Sequence, residues 1–326
     1  MKYLIYRKKK PEFNSIENVF NTLLPFLAIQ KVELPFISSG IFNRLKNISF
    51  IKEKKAILNH ITGNDHYLAI GLAKKTVILT IHDIEVLKRS TGIKRYALKK
   101  LWFDWPINNS KIVTTISEFT KSELLQLNNY KTPVVVIPNP LTLPITYVPK
   151  TFNVKCPTIL HLGVKPNKNL PQLIKALNGI SCKLVIIGKE NETIKQLLKS
   201  NHINYVFKSN LSNEEVIQAY HNCDMLSFIS TYEGFGLPII EAQAMGRPVI
   251  TANISSMPEV AANGALLVDP YNVKEINSGI MQLINDDVLR SDLIKKGLEN
   301  VKRFEPQKIA KQYQNAYLEI LQKNQQ

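Results

Sequence analysis

The chain has 326 residues, of which 44% are hydrophobic and 21% charged, and its formal net charge is +16. Such a chain has ample core for two domains of about 150 residues each, and a disordered or fibrous protein is excluded. Its three cysteines, Cys156, Cys182 and Cys223, have no paired spacing, which argues against a disulfide framework and fits a reducing compartment.

The N-terminal stretch MKYLIYRKKK has too few apolar residues before its charges for a signal peptide. No stretch approaches the roughly 18 apolar residues of a membrane span. The expectation is a cytoplasmic protein, at most peripheral on the inner face of the cytoplasmic membrane. In the first half KKTVILTIHD (74–83), SKIVTTIS (110–117) and VVVIPNP (134–140) read as buried strands ending at polar residues. Between them KRSTGIKRYALKKLWFDW (88–105) and SEFTKSELLQL (117–127) read as helices, the second opened by Ser117 as N-cap. The proline-rich stretch 139–157 has no periodicity and reads as a linker.

In the second half TILHLG (158–163), KLVIIG (183–188), NYVF (204–207), MLSFIS (225–230) and RPVITA (247–252) read as strands. Helical segments separate them: PQLIKALNGI (171–180), ETIKQLLKS (192–200), NEEVIQAYHNC (213–223) and PIIEAQAMG (238–246). A last amphipathic helix covers FEPQKIAKQYQNAYLEIL (304–321). Strand–helix alternation of this length implies an α/β protein with parallel sheets covered by helices. Two such units are expected to face each other across a cleft, with ligands at the carboxyl ends of strands.

Charge is one-sided. Residues 1–150 hold 23 Lys+Arg against 10 Asp+Glu, a net +13, whereas residues 151–326 hold 19 against 16, a net +3. A basic half suits an anionic partner: a membrane surface, a phosphorylated acceptor or nucleic acid. Within it, residues 93–105 mix Lys94, Arg95, Lys99 and Lys100 with Trp102, Phe103 and Trp105. That helix could lie on an anionic bilayer; the competing account is aromatics in the core with solvated lysines. No nucleic-acid-binding module is present.

The most informative segment is STYEGFGLPIIEAQAMGRPVI, residues 230–250. A strand ends, a glycine-rich turn follows, Pro238 suits the first helical turn and Gly246 the stop. Backbone N–H groups of Gly236 and Leu237 open the helix at its positive end. Glu233 lies in the turn and Glu241 about one turn inside the helix. Phosphate or sugar oxygens could sit on the backbone, while a carboxylate accepts two hydrogen bonds from a vicinal diol. A nucleotide sugar offers both groups. The alternative is a surface glutamate beside a tight connection. Neither a full dinucleotide fingerprint nor a GxxxxGK[ST] phosphate loop is present.

This segment resembles the C-terminal signature of the retaining glycosyltransferases of family 4, the group 1 glycosyltransferases of GT-B fold. Two glutamates separated by seven residues frame GFGLP, and the helix ends in Gly-Arg-Pro-Val-Ile. The similarity extends to LHLGVKPNKNLPQLIKAL (160–177), KLVIIGKENE, NEEVIQAYHNCDMLSFIS and SSMPEVAANGALLVDP, and in the first half to VILTIHDIE, VTTISEFTKSEL and VIPNP. It implies two Rossmann-like domains, 1–148 on the acceptor side and 149–303 binding the nucleotide sugar, with 304–326 crossing back to the first. It also implies metal-independent, retaining transfer from a UDP- or GDP-linked sugar to a glycan or lipid-linked acceptor hydroxyl, without a cofactor. Bacterial cell-envelope polysaccharide synthesis is the expected setting. The other readings are a nucleotide-sugar epimerase on the same fold and a non-catalytic sugar-nucleotide-binding partner.

Carried over by residue, Lys168 would offset the donor diphosphate and Glu233 bind the transferred sugar. The backbone of Gly234, Phe235, Gly236 and Leu237 would line sugar and phosphates, and Glu241 hold the ribose. Gly163, Lys165, Gly188, Phe207 and Leu211 would border the nucleotide. Acceptor-side candidates are His60, Asn64, Asp65, His66, His82 and Asp83, with His82 favoured next to the reacting carbon. Each of these could instead be a structural cap or a satisfied histidine. Asp83-Ile-Glu85 only superficially resembles a metal-binding DxD, and no metal is expected. Three departures stand out. Val164 occupies the position where relatives carry Arg, leaving Lys165 as replacement or the site weaker. Lys208 or Ser209 replaces a glycine after NYVF. Asn14 and Ser15 stand where relatives have a glycine pair, and Ser15 is a candidate N-cap.

Overall fold

The computed structural model describes residues 1–8 and 15–322, in two compact units: Met1–Thr142 with Glu305–Gln326, and Leu143–Phe304. In the first unit six strands, Lys2–Tyr6 (β1), Gln30–Glu33 (β2), Leu58–Ile61 (β3), Val77–Ile81 (β4), Ile112–Thr115 (β5) and Val134–Val136 (β6), form one sheet. Their order is β2-β1-β3-β4-β5-β6, parallel at every pairing. All five residues of β4 are buried, so VILTI reads as a continuous apolar run and not an alternating one.

The second unit repeats the plan with Thr158–Leu162 (β7), Lys183–Ile187 (β8), Asn204–Lys208 (β9), Met225–Phe228 (β10), Val249–Ala252 (β11) and Leu266–Val268 (β12). The order is β12-β11-β10-β7-β8-β9, again all parallel. Its core joins Ile159, Leu173, Leu184, Ile186 and Met225 to Ile276, Ile280 and Leu283 on the helix Val273–Asn285. Each such side chain removed from water contributes about 1.5–3 kcal/mol. The chain runs outward from β7 to β9, then returns to lay β10 on the other side of β7. That reversal opens a crevice at the carboxyl ends of β7 and β10, where ligands of open α/β sheets bind.

After Phe304 the chain rejoins the first unit. The helix Pro306–Gln322 buries Ile309, Ala310, Tyr313, Ala316, Tyr317 and Ile320, spaced three and four apart along one face. It packs on the helix Ser15–Leu23, and Tyr317 reaches into the sheet. Among the described residues no helix is long and apolar enough to cross a membrane.

Several local expectations hold. Ser117 caps the helix Glu118–Leu127 by accepting the Thr120 N–H, and Gly246 ends Leu237–Met245 with φ +75°. The helix expected over 88–105 forms only from Gly92 on: Glu85–Lys88 is a separate short helix, and a continuous helical run follows, α-helical at Gly92–Leu98, π-helical at Lys99–Asp104 and α-helical again at Trp105–Asn108. Ser90-Thr91-Gly92 breaks the run, because Gly92 takes φ +55°, a conformation that fits no helix interior. The helix Ser15–Leu23 starts at Ser15, whereas Asn14 and the Ser15 side chain lie outside the described residues, so the glycine-pair position and the Ser15 cap do too. The free cysteines Cys182 and Cys223 are buried in the second unit and Cys156 is half-buried.

Candidate functional site

The carboxyl ends of β7 and β10 are stitched together side chain by side chain. After β7 the chain turns at Gly163, which adopts φ +94°. A Cβ there would sit 2.8 Å from Lys168 Cγ, so glycine supplies both the conformation and the room for the lysine stem. Lys168 Nζ then lies 2.6 Å from Glu233 Oε1 and 4.8 Å from the Phe228 ring centroid. Both side chains of this pair are mostly but not fully buried, 20% and 15% exposed, so a ligand can still reach them.

Asn167 closes the arrangement, although sequence reasoning did not single it out. Its Nδ2–H donates to the Tyr232 carbonyl at 3.0 Å and toward Glu233 Oε1 at 3.3 Å, and its carbonyl accepts the Thr231 N–H at 2.8 Å. Asn169, at φ +62°, ties the same loop to the Ile229 and Pro270 carbonyls. The turn after β10 is held from the other side by two further unassigned residues. Ser255 Oγ accepts the Glu233 N–H and donates to its carbonyl, and Ser256 Oγ bridges the Glu233 and Phe235 carbonyls. The sequence signal was their place at the head of SSMPEVAANGALLVDP, ahead of the helix Met257–Ala261.

Gly236, at φ +113°, starts the helix Leu237–Met245 without a side-chain cap, leaving the helix's positive end to backbone N–H groups. Phe235 is buried against Phe304. One turn in, Glu241 is buried and accepts a 2.7 Å hydrogen bond from the hydroxyl of Tyr220, on the helix Asn213–Asn222. Burial and the neighbouring carboxylate push the Tyr220 hydroxyl well above its ordinary pKa, so Tyr220 remains the donor. Glu241 is therefore a buried, oriented carboxylate and not a surface helix residue.

The remaining nucleotide-side candidates follow neighbouring strands. Gly163 N–H donates to the Ile187 carbonyl and Gly188 N–H to the Lys208 carbonyl, which sets the ends of β7, β8 and β9 side by side. Val164 packs against the core, and a Cβ at Gly188 would meet it at 2.8 Å. At the position where the resemblance implies Arg, the side chain is an apolar plug. Phe207 leans edge-on against Tyr205 and onto the core, and Leu211 precedes a helix closed by the Ser212–Glu215 capping box.

In the first unit the polar candidates divide. His60 is fully buried, its ring bonded to Tyr317 Oη and Thr80 Oγ1 at 2.7 Å each, and burial lowers its pKa to about 3. It braces the C-terminal helix and faces no ligand. His82 Nε2–H donates to the Thr62 carbonyl at 2.7 Å, so the neutral ring carries its lone pair on Nδ1. Burial also lowers the His82 pKa, which keeps that ring neutral. Asp65 is buried and its carboxyl is raised by desolvation, while His66 Nδ1 bonds the Trp102 carbonyl. Asn64 is exposed and its carbonyl accepts the Trp102 Nε1–H. Asp83 is spent on a turn, accepting the Glu85 N–H, and Glu85 pairs with Arg89, so Asp83-Ile-Glu85 does not converge. Among the described residues no cluster of three or more His, Cys, Asp or Glu could hold a metal ion.

The chain has counterparts among known proteins in sequence and in fold. The family model described as glycosyl transferases group 1 matches residues 149–300. The chain is 27% identical over 296 residues to the O-antigen chain mannosyltransferase B of Escherichia coli, covering 82% of this chain and 75% of that protein. It is 23% identical over 167 residues to an N,N'-diacetylbacillosaminyl-diphospho-undecaprenol α-1,3-N-acetylgalactosaminyltransferase of Campylobacter jejuni, covering 49% and 42%. In fold it resembles Anabaena HepE, solved in complex with UDP-glucose, with a TM-score of 0.78 at 15% identity over 97% of this chain and 99% of that one.

Proposed function

Because residues 149–300 match the family model of the group 1 glycosyltransferases, we propose that the chain is a retaining glycosyltransferase whose donor is a UDP- or GDP-linked hexose. The observation that carries this reading is the Lys168–Glu233–Asn167 constellation beside an uncapped helix N-terminus, with Glu241 held one turn beyond. Glu241 takes the ribose diol and Glu233 the hydroxyls of the transferred sugar. The diphosphate lies on the N–H groups of Gly236 and Leu237 and beside Lys168.

In this mechanism the acceptor oxygen bonds to the anomeric carbon on the face from which the nucleoside diphosphate leaves. The carbon–phosphate oxygen bond breaks, and the leaving oxygen takes the acceptor proton. Lys168 and the helix N-terminus offset the negative charge that grows on that oxygen, so the step calls for no metal. His82, neutral and with Nδ1 as acceptor, is the first unit's candidate for the acceptor side. The acceptor is a glycan or lipid-linked glycan hydroxyl of the bacterial envelope, in keeping with the names of the E. coli and C. jejuni relatives. The test is the anomeric configuration of the product formed in EDTA, read by NMR. The donor's α or β configuration kept in the product supports the proposal; an inverted product, or turnover only with added divalent metal, overturns it.

A further inference from the structure

Arg247 takes no part in the donor chemistry described above, yet it is only 2% exposed in the second unit. It follows Gly246 at the end of the helix Leu237–Met245. Among the described residues, every hydrogen bond of its guanidinium goes to a backbone carbonyl. Nε–H donates to Tyr220 at 3.1 Å and Nη2–H to His221 at 2.9 Å. The Nη1 donors serve Val148 at 2.8 Å, Met245 at 3.1 Å and Gly246 at 3.4 Å. The carboxylate of neighbouring Asp224 is engaged instead by the Lys150 ammonium and by the Asn153 and Thr158 N–H groups.

A buried charge is costly unless other groups compensate it. Here two helix ends do so. Tyr220 and His221 lie in the last turn of the helix Asn213–Asn222, and Met245 ends the helix Leu237–Met245. The last carbonyls of a helix have no partner within it and carry the negative end of its dipole. One planar fork of donors therefore fastens two helix C-termini to each other, a geometry that an ammonium point charge does not reproduce. Those two helices carry Tyr220 and Glu241, whose side chains meet at 2.7 Å. Tyr220 is thus held twice, its carbonyl by Arg247 and its hydroxyl by Glu241.

We propose that Arg247 is a positioning residue for the donor: by clamping the two helix ends it sets the Tyr220 hydroxyl on Glu241 and so aims that carboxylate at the ribose. The step to the ribose rests on the function proposed above, whereas the clamp does not. Arg290 is the internal comparison. It too is buried, and its Nη1 donates to the Leu283 and Ile284 carbonyls at 2.9 and 2.8 Å. The helix that it ends, Val273–Asn285, carries no residue assigned to the site.

The experiment compares Arg247→Lys with Arg290→Lys in the full chain. Affinity is read by calorimetric titration with UDP, GDP and their 2′-deoxy forms, and the clamp by iodoacetamide labelling of Cys223, resolved by peptide mass. Each lysine keeps the charge and loses the fork, so both variants should fold with similar falls in melting temperature. Arg247→Lys should weaken the nucleotide that the wild type binds by about tenfold, and its 2′-deoxy form far less. Arg290→Lys should leave both affinities unchanged. Added to Tyr220→Phe, Arg247→Lys should cost almost nothing further, because both act through one carboxylate. Cys223 Sγ is buried 3.3 Å from the Tyr220 carbonyl, so a loosened helix end should label several-fold faster in Arg247→Lys with no nucleotide present. Unchanged affinity or unchanged labelling in Arg247→Lys, additive losses with Tyr220→Phe, or an equal affinity loss in Arg290→Lys overturns the proposal. A wild type that binds neither nucleotide overturns the donor reading and the ribose step with it, and the labelling then decides the clamp.

Discussion

Lys168 and Glu233 come from different strand-ends, 65 residues apart in sequence, yet Nζ and Oε1 stand 2.6 Å apart. A donor arriving with a diphosphate and a sugar diol would exchange this one ion pair for two ligand contacts, Lys168 with phosphate and Glu233 with hydroxyls. The pair keeps two charges compensated until then. Lys168→Ala and Glu233→Gln should each lower kcat/KM by about 10²–10³-fold. The fall should be mainly in kcat for Lys168, whose charge matters most as the phosphate departs. Steady-state kinetics with the cognate donor would show it.

Gly163→Ala tests whether the lysine is positioned by its neighbour. At φ +94° an alanine is strained, and its Cβ would displace the Lys168 stem from 2.8 Å. The expected cost is about 1–3 kcal/mol of stability, together with a loss of donor affinity that Gly179→Ala does not cause. Gly179 also has positive φ, but a Cβ there meets nothing within 4 Å.

Tyr220→Phe removes one hydrogen bond from a buried carboxylate. A bond of this type is worth about 1.5–3 kcal/mol, or roughly 10–100-fold in donor affinity. If Tyr220 acts by orienting Glu241 toward a ribose, the loss should appear in KM more than in kcat. It should shrink for a nucleotide lacking the ribose 2′-hydroxyl.

Four buried histidines, His60, His66, His82 and His161, set an acid limit on stability. Burial lowers His60 to about 3 and His66 and His161 to about 4, against 6.5 when unfolded. Below pH 6.5 the unfolded chain binds protons that the folded chain refuses, so stability is full above that pH and declines below it. Each histidine removes about 1.4 kcal/mol per pH unit in that window. Asp65, raised by burial, acts in the opposite sense but is a single group. Chemical denaturation between pH 7 and 4.5 should show a monotonic loss; a flat profile would contradict the buried neutral assignment.

Much of this was legible because the chemistry is local in sequence. Glu233, the glycine turn, Pro238 and Glu241 lie within nine residues, so strand, turn and helix could be read with their site residues in place. Asn167, Ser255 and Ser256 lie in segments that resemble the family, but their roles were not legible: they act by bonding backbone carbonyls of a segment many residues away. His60 resembled a strand-end site residue, but its partner Tyr317 lies 257 residues on, and only the fold turns it into a core brace. The strand β1 was hidden because its KYLIY run is short and flanked by lysines, and β2 because as an edge strand it is mostly polar and exposed.

The central claim is that the turn 233–237 and Glu241 bind a nucleotide sugar. Isothermal calorimetry of the full chain against a panel of UDP- and GDP-sugars in EDTA, with Glu241→Ala beside it, tests it most directly. One donor should bind with a defined affinity, and that binding should fall about tenfold or more in a variant that remains folded. A folded wild-type protein that binds no member of the panel, or an equal affinity in Glu241→Ala, would contradict the account.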